Sequence, residues 1–527
     1  MSLKLFSLFR FTVFFMVLLL GVQAKADTLF VTNLNDSYFS YTGKTLRMAI
    51  GQARSGDEIV IRGTGRITLR YGELDIRSKD INIRAANPGD IIIDADNKSR
   101  IFDIYDSRVT LRNLTMVNGY SEQKGGAIFT DFPSTMINPH LDPDDIRSPQ
   151  RLYVLNCQFT NNRAQDGGAI FSNTSMTVLD STFYFNQAIG GEGGAIYMQE
   201  PYYYDHEQST VDDRNQNIVP IHMSWTINRS YFSNNRAEYA GAVHSKGGWV
   251  WMRDTTFYRN FARGSAGMSV VGHTPRVDLF NTDFKNNSAS FNNSRGGALT
   301  LDNVQEINIE RSEFLNNSNA DGNGGAISFY QKGRTSIKHS TFANNSADRG
   351  GAVYIHQDVL GNYSSFDIVN TTISGNSANN GGGIFRQGLA PMLLHHVTLT
   401  KNRATTSSSS GIYTYSDYVT ARNSIIADNY GDDCYGILTI KGKSLLSNER
   451  FCDIRLADSA SGKIIGQANL TALGYYSSDT QTHGLSTNSK ALNGTSDCIL
   501  GTDQRYKARP LAVQVIGATC DIGAHEN

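Results

Sequence analysis

Residues 159–170 read Phe-Thr-Asn-Asn-Arg-Ala-Gln-Asp-Gly-Gly-Ala-Ile, and residues 183–196 read Phe-Tyr-Phe-Asn-Gln-Ala-Ile-Gly-Gly-Glu-Gly-Gly-Ala-Ile. Both place an Asn three positions after a Phe and then close on Gly-Gly-Ala-Ile, so the chain repeats itself. The first half of the unit returns as Phe232/Asn235, Phe257/Asn260, Phe284/Asn287, Phe314/Asn317 and Phe342/Asn345, and more weakly as Ile373/Asn376, Leu399/Asn402 and Ile426/Asn429. The second half occurs at 125–128, 167–170, 193–196, 296–299, 324–327 and 350–353, with degenerate copies at 240–243, 265–268, 381–384 and 409–412. Successive Phe positions differ by 24 (183−159), 25 (257−232), 27 (284−257), 30 (314−284) and 28 (342−314) residues, the period of a solenoid coil. The step from Phe183 to Phe232 is 49 residues (232−183) with one Gly-Gly-Ala copy inside it, which marks an inserted loop.

Within a coil, apolar residues alternate, as in Leu152 and Val154, Ile307 and Ile309, or Phe366 and Ile368. That spacing belongs to strands, not helices. Similar coils stacked in register give parallel sheets with strands about 4.8 Å apart. The expected fold is an all-β, right-handed, single-stranded parallel β-helix. Its Phe residues would stack inside, its Asn residues would bridge the backbones of neighbouring coils, and Gly and Ala would serve the sharp turns.

The two motifs, recurring in fixed order over about residues 101–430, resemble the Gly-Gly-Ala-Ile and Phe-x-x-Asn repeats of the chlamydial polymorphic outer-membrane proteins and related bacterial β-helix proteins. Leu46-Arg47-Met48-Ala49-Ile50 resembles the N-terminal Leu-Arg-x-Ala-Ile element of secreted bacterial β-helix proteins, and Asp521-Ile522-Gly523-Ala524-His525-Glu526 their C-terminal ending. The resemblance implies surface or extracellular work, often adhesion. No run of alternating strands with a terminal aromatic follows the repeats, so the membrane barrel of the chlamydial proteins is not expected in this sequence. The fold alone decides no function.

Lys4 and Arg10, the apolar run Phe11 to Leu20 and Ala24-Lys25-Ala26 read as a cleavable signal peptide over residues 1–26. No later stretch approaches the roughly twenty apolar residues a membrane helix needs. An N-terminal cap and first coils are expected over 27–100, the repeats over 101–430 with insertions at 130–150 and 198–222, and a capping segment over 431–527. The periplasm, the outer surface and the medium are all compatible addresses. Lys and Arg number 48 against 49 Asp and Glu, a net charge of −1, so the basic footprint of a nucleic-acid binder is missing. Cys434, Cys452, Cys498 and Cys520 are disulfide candidates in an oxidising compartment. Four cysteines allow three connectivities, of which the nearest-neighbour pairs, Cys434 with Cys452 and Cys498 with Cys520, are favoured. Cys157 reads as a buried small residue of the repeat.

No catalytic constellation stands out. Asn281-Thr282-Asp283 matches the first element of a β-helix hydrolase pattern, but it abuts Phe284 in an ordinary coil turn and the other elements do not follow. Asn138-Pro139-His140-Leu141-Asp142 distantly resembles an epimerase motif and reads better as a loop. Calcium is the one cofactor left open, at Asp142-Pro143-Asp144-Asp145, whose acids lack a recognised loop spacing.

Strand parity points to a surface. If the aliphatic residue of each Gly-Gly-Ala strand faces inward, the next faces out: Phe129, Phe171, Tyr197, His244, Ser269, Thr300, Ser328, Tyr354, Phe385 and Tyr413. Such a row suits sugar rings, or else forms a covered ladder that only stabilises the sheet. The insertion carries Tyr202, Tyr203, Tyr204, Asp205, His206 and Glu207, and the next coil is expected to expose His244 and Lys246, then Trp249, Trp251 and Arg253. Loops inserted on rigid scaffolds commonly carry function, so these eleven residues form the candidate ligand site. The expected partner is a polysaccharide, or a glycan or protein of a cell surface, held by an adhesin-like protein. The alternative is an extracellular polysaccharide-active enzyme, a lyase, hydrolase or epimerase.

Overall fold

The computed structural model describes residues 26–132, 151–200, 202–205, 217–220, 223–290, 294–330, 333–356, 365–406, 409–415, 418–510 and 519–527, with 202–205 and 217–220 described through their backbone alone. Residues 1–25 of the expected signal peptide, the acidic run 142–145 and the 138–142 motif lie outside these residues.

The chain is a parallel β-solenoid of about 13 turns with almost no helix. Three columns of strands run its length. The first contains the Gly-Gly-Ala strands, from Leu74–Arg77 through Ile170–Ser172 and Val243–Lys246 to Ser409–Thr414. The second contains Arg151–Leu155, Arg334–Lys338 and their equivalents, and the third the Phe-x-x-Asn strands. Every described pair within these columns is parallel, with like repeat positions in register, as in Phe159↔Phe183 and Ile170↔Ile196. A short fourth column, from Arg163–Ala164 to Arg403–Ala404, links each Asn to the next Gly-Gly-Ala.

The corners explain the repeat. Between the second and third columns one residue per coil takes a left-handed conformation, as Asn156, Asp180, Asp254, Asn281 and Asn370 do, and Asn and Asp tolerate that region best among residues with a Cβ. Asn281-Thr282-Asp283 is such a corner, with Thr282 buried and its backbone N–H donated to Ser312 Oγ at 3.0 Å. At the other corner a Cβ on Gly168 would lie 2.2 Å from the carbonyl oxygen of Gly194 in the next coil, so only glycine fits there.

The core is a continuous column. Phe159, Phe183, Phe232, Phe257, Phe284, Phe314 and Phe342 stack with centroids 4.6–5.0 Å apart and planes within 9° of parallel. Beside them runs the Asn ladder. Asn186 Nδ2 donates to Phe159 O at 3.1 Å and to Asn235 Oδ1 at 3.0 Å, and its backbone N–H donates to the same Oδ1. Each fully buried amide thereby satisfies backbone groups that the turn takes out of the sheets. Cys157 is buried, and burial pushes its thiol up to about 12, which leaves it an inert packing residue.

The N-terminal end is closed by a helix. The helix Leu46–Gln52, capped by Thr45, turns Leu46, Ala49 and Ile50 into the first coil, and Arg47 is buried with Asp36 at 2.7 Å. The repeats legible in sequence end at Tyr430, but parallel pairing continues to Ile465 through strands Asp432–Lys441, Lys443–Leu446, Phe451–Leu456 and Gly462–Ile465. Cys434 and Cys452 are paired across neighbouring coils, Cα atoms 5.3 Å apart, and Cys498 and Cys520 are paired at 5.8 Å.

After Ile465 the chain turns back along the outside of the third column. Gln481 donates its backbone N–H to Glu313 Oε1 at 3.0 Å, Gln504 Nε2 donates to Ser340 O at 3.2 Å, Asn370 Nδ2 donates to Thr502 O at 2.9 Å, and the backbone N–H of Ala524 donates to Thr398 Oγ1 at 2.9 Å. The Asp-Ile-Gly-Ala-His-Glu ending is part of this strap: Arg509 is buried between Glu526, at 2.6 Å, and the carbonyl of Gly523. Among the described residues no helix is long and apolar enough to cross a membrane.

Candidate functional site

The residues grouped together in sequence divide between two faces of the coil, because Gly247 and Gly248, both at positive φ, turn the chain from the first column into the second. His244 and Lys246 belong to the first face; Trp249, Trp251 and Arg253 belong to the second. At the insertion, Tyr202–Asp205 pairs antiparallel with Asn217–Pro220. His206 and Glu207 lie outside the described residues.

The outward row of the first column is a covered ladder and not an open sugar platform. Phe129, Phe171, Tyr197 and His244 make ring contacts at 5.7, 4.9 and 4.8 Å, and Tyr354, Phe385 and Tyr413 continue at 5.6 and 5.0 Å. Phe171, Tyr197, His244, Tyr354 and Phe385 are all buried. The expectation that this coil exposes His244 is therefore corrected: only 3% of it reaches solvent. Residues of the fourth column and its turns lean over the row, bringing Glu192 Oε2 to 3.1 Å from His244 Nε2. That approach lacks hydrogen-bond geometry, so neither ring nitrogen has a hydrogen-bond partner. Burial, helped by the charge of Lys246, pushes the imidazole pKa down to about 3, so the ring is neutral. Glu192 has its pKa raised by burial and by nearby Asp166, against the pull of Lys246 and a hydrogen bond from Tyr197. His244, Glu192, Lys246, Tyr239, Ser269 and Arg295 line a recess of about 460 Å³.

On the second face Val250 and Met252 are buried, while Trp249 is 41% and Trp251 50% exposed. The two tryptophans stand two positions apart on the same side of one strand. Arg253 follows, its guanidinium 4.9 Å from the ring of Phe280 in the next coil. The third tryptophan, Trp225, is buried and donates Nε1–H to Thr174 O at 3.1 Å. In register with Trp251 along the face come Asp278, Asn308, Ser336 and Asp367. From Asn308 onward this face forms an open groove of about 720 Å³, lined also by Glu306, Arg334 and Lys338. Burial raises the carboxyl pKa of Asp367, opposed by Lys338.

Sequence reasoning missed Glu192, Tyr239, Arg295 and the groove. One signal was present: the row of outward residues changes from aromatic to small at Ser269, Thr300 and Ser328. The groove had no such signal, because its polar residues are ordinary for an exposed strand face.

Two family descriptions match the sequence: a right handed beta helix region over residues 297–474 and the Chlamydia polymorphic membrane protein repeat over residues 156–173. With the coils above, they make this a right-handed β-helix protein resembling the polymorphic membrane proteins. No curated protein matches the chain. Among solved structures, it is similar to pectate lyase Pel9A, at 12% identity and TM-score 0.32 over 95% of this chain and 96% of that one. It is also similar to a PL6 alginate lyase in complex with trisaccharide (10%, 0.31, 88% and 92%) and to tailspike protein 3 of bacteriophage CBA120 (11%, 0.27, 83% and 61%).

Proposed function

We propose that the protein is a secreted or cell-surface binding protein, adhesin-like, that takes a glycan or another surface molecule across the outer face of the second column. The observation that carries this reading is the pair Trp249 and Trp251, exposed side by side on a rigid strand. Large flat rings held in water by a fixed backbone supply contact area for the C–H faces of sugars at little entropic cost. Asp278, Asn308, Ser336 and Asp367 continue the line with hydrogen-bonding groups, about 4.8 Å per coil. The two cysteine pairs and the repeat support an address outside the cytoplasm.

A second reading, an extracellular polysaccharide lyase, hydrolase or epimerase, is favoured by Asp367, a carboxyl of raised pKa beside Lys338 in the groove. Carboxyls tuned in this direction serve general acid–base catalysis. Both readings are tested together by incubating the full chain with a panel of uronate-rich and neutral glycans, following binding, ultraviolet-absorbing unsaturated product and new reducing ends. Binding without product supports the first reading and either product supports the second. Neither binding nor product on any member of the panel rejects a glycan partner.

A further inference from the structure

We propose that the strap is an acid-released clasp: in mildly acidic surroundings it lifts from the third column while the coils beneath it stay folded, because four imidazoles are buried in the joint between them. Two of these, His339 and His396, belong to the coils, and two, His483 and His525, to the strap; all four are buried. Their placement departs from the repeat. The left-handed corner residue is Asn156, Asp180, Arg229, Asp254 and Asn281 in the coils before the strap. Beneath the strap it is Arg311, His339, Asn370, His396 and Asn423, so two of those five corners carry a histidine.

The contacts hold these rings in their uncharged form. Asn423 Oδ1 accepts from the backbone N–H of Lys443 at 3.0 Å and its Nδ2 donates to Asp497 O at 2.7 Å, so the amide turns its N–H side to His396 Nε2 at 3.3 Å. That ring nitrogen must accept, and a proton placed on it would meet the amide proton. Burial, then Arg509 of the strap, the neighbouring His395 and Arg422 of the next coil, push the pKa of His396 well below the usual value, against the backbone of Gly523. His483 donates Nδ1–H to Thr471 O at 2.7 Å and accepts from Ser374 Oγ through Nε2 at 2.8 Å. Burial and Lys401 push its pKa down to about 4, against the Thr471 carbonyl. His525 is pushed to about 4 by burial, Arg505, Arg509 and His483, against Asp503. His339 stacks on Tyr506 at 4.0 Å and donates Nδ1–H to Gln504 O at 3.2 Å; burial lowers its pKa, against Glu310 and Asp503.

A ring that is neutral when docked and open to a proton when lifted supports docking fully above its free value of 6.5, and less as pH falls toward its docked value. For His483 alone, the step from pH 7.5 to pH 5 favours lifting about thirtyfold. Glu313 and Glu526, raised mainly by burial in the same joint, act in the opposite sense. So does Glu200, which lies outside these coils.

The test is limited proteolysis of the full chain with proteinase K between pH 4.5 and pH 7.5, each rate set against cleavage of an unstructured peptide at the same pH. Fragments from beyond Ile465 are expected about tenfold faster or more at pH 5 than at pH 7.5, with the rise beginning near pH 6.5 and the coils resisting throughout. His396→Asn with His483→Gln removes two of the proton acceptors and gives the corner the residue of Asn156 and Asn281, so it is expected to cut that ratio about tenfold. If the variant releases its strap at pH 7.5 as well, the parent profile decides, because carboxyls of ordinary value, about 4, cannot start a rise at pH 6.5. A strap equally protected at pH 5 and pH 7.5, a rise confined below pH 5, or an undiminished ratio in a variant that docks would overturn the proposal.

Discussion

Asn260 holds Asn235 of the neighbouring coil by two hydrogen bonds at once: its Oδ1 accepts from the backbone N–H and from Nδ2 of Asn235, both at 3.0 Å. Asn235→Leu or Asn260→Leu removes those bonds and leaves buried backbone groups unpaired, a cost of roughly 1–3 kcal/mol. Each variant should melt several degrees below the parent, although neither residue touches a surface. Unchanged thermal unfolding by circular dichroism in both would contradict a structural role for the ladder.

Glu200, 2% exposed at the root of the hairpin insertion, accepts from the backbone N–H groups of Met223 at 3.3 Å and Gly248 at 3.1 Å. Burial outweighs these donors and raises its pKa to about 7. A raised carboxyl binds its proton more tightly folded than unfolded, so its stabilisation is complete below the unfolded value of 4.5 and is lost as pH rises through about 7. The shift corresponds to about 3 kcal/mol. Glu200→Gln should flatten the fall in melting temperature between pH 5 and pH 8 and exceed the parent at pH 8. An identical slope in the variant would show that another group titrates there.

The pair Cys498 and Cys520 closes a loop with sequence separation 22 inside the strap. Replacing both with Ser should destabilise strap docking by about 3 kcal/mol. Limited proteolysis reads this directly: the variant should release fragments from beyond Ile465 while the coils resist. Equal protection of strap and coils in both proteins would place the holding energy elsewhere.

For Trp249→Ala with Trp251→Ala, glycan affinity should fall about thirtyfold, from roughly 1 kcal/mol per stacked ring. Both rings are half exposed, so the melting temperature should stay within a degree or two. A folded double variant that binds as well as the parent removes the ligand from this face.

The coils could be read in the sequence because the same constraint acts on every turn. Phe must stack on Phe, Asn must bridge to Asn, and only Gly fits where Gly168 meets Gly194, so each coil records the demand of its neighbour. The outward positions carry no such record. Whether Phe171 or His244 faces water depends on how far the fourth column leans over it, and that is set by residues such as Glu192 and Tyr239, which belong to turns of variable length. Trp249 and Trp251 could be assigned outward because counting back from buried Phe257 fixes their parity. That His244 and Lys246 belong to another face depended on the corner at Gly247 and Gly248, which sequence shows only as two glycines. The strap was invisible for a related reason: Gln481 meets Glu313, and Gln504 meets Ser340, across long separations with no repeat to register them.

The strap also bears on the order in which the molecule assembles. Coils of a solenoid contact only their neighbours and can form one after another along the chain. Strap contacts at Glu313, Ser340, Asn370 and Thr398, and at Asn423, whose Nδ2 donates to Asp497 O at 2.7 Å, come from five successive coils, so the strap can dock only when all five exist. Because loop closure over such distances is slow, docking should be the last folding step. Once docked, it ties those five coils into a unit that opens together, while the coils between Arg151 and Lys285 remain free to fray one at a time.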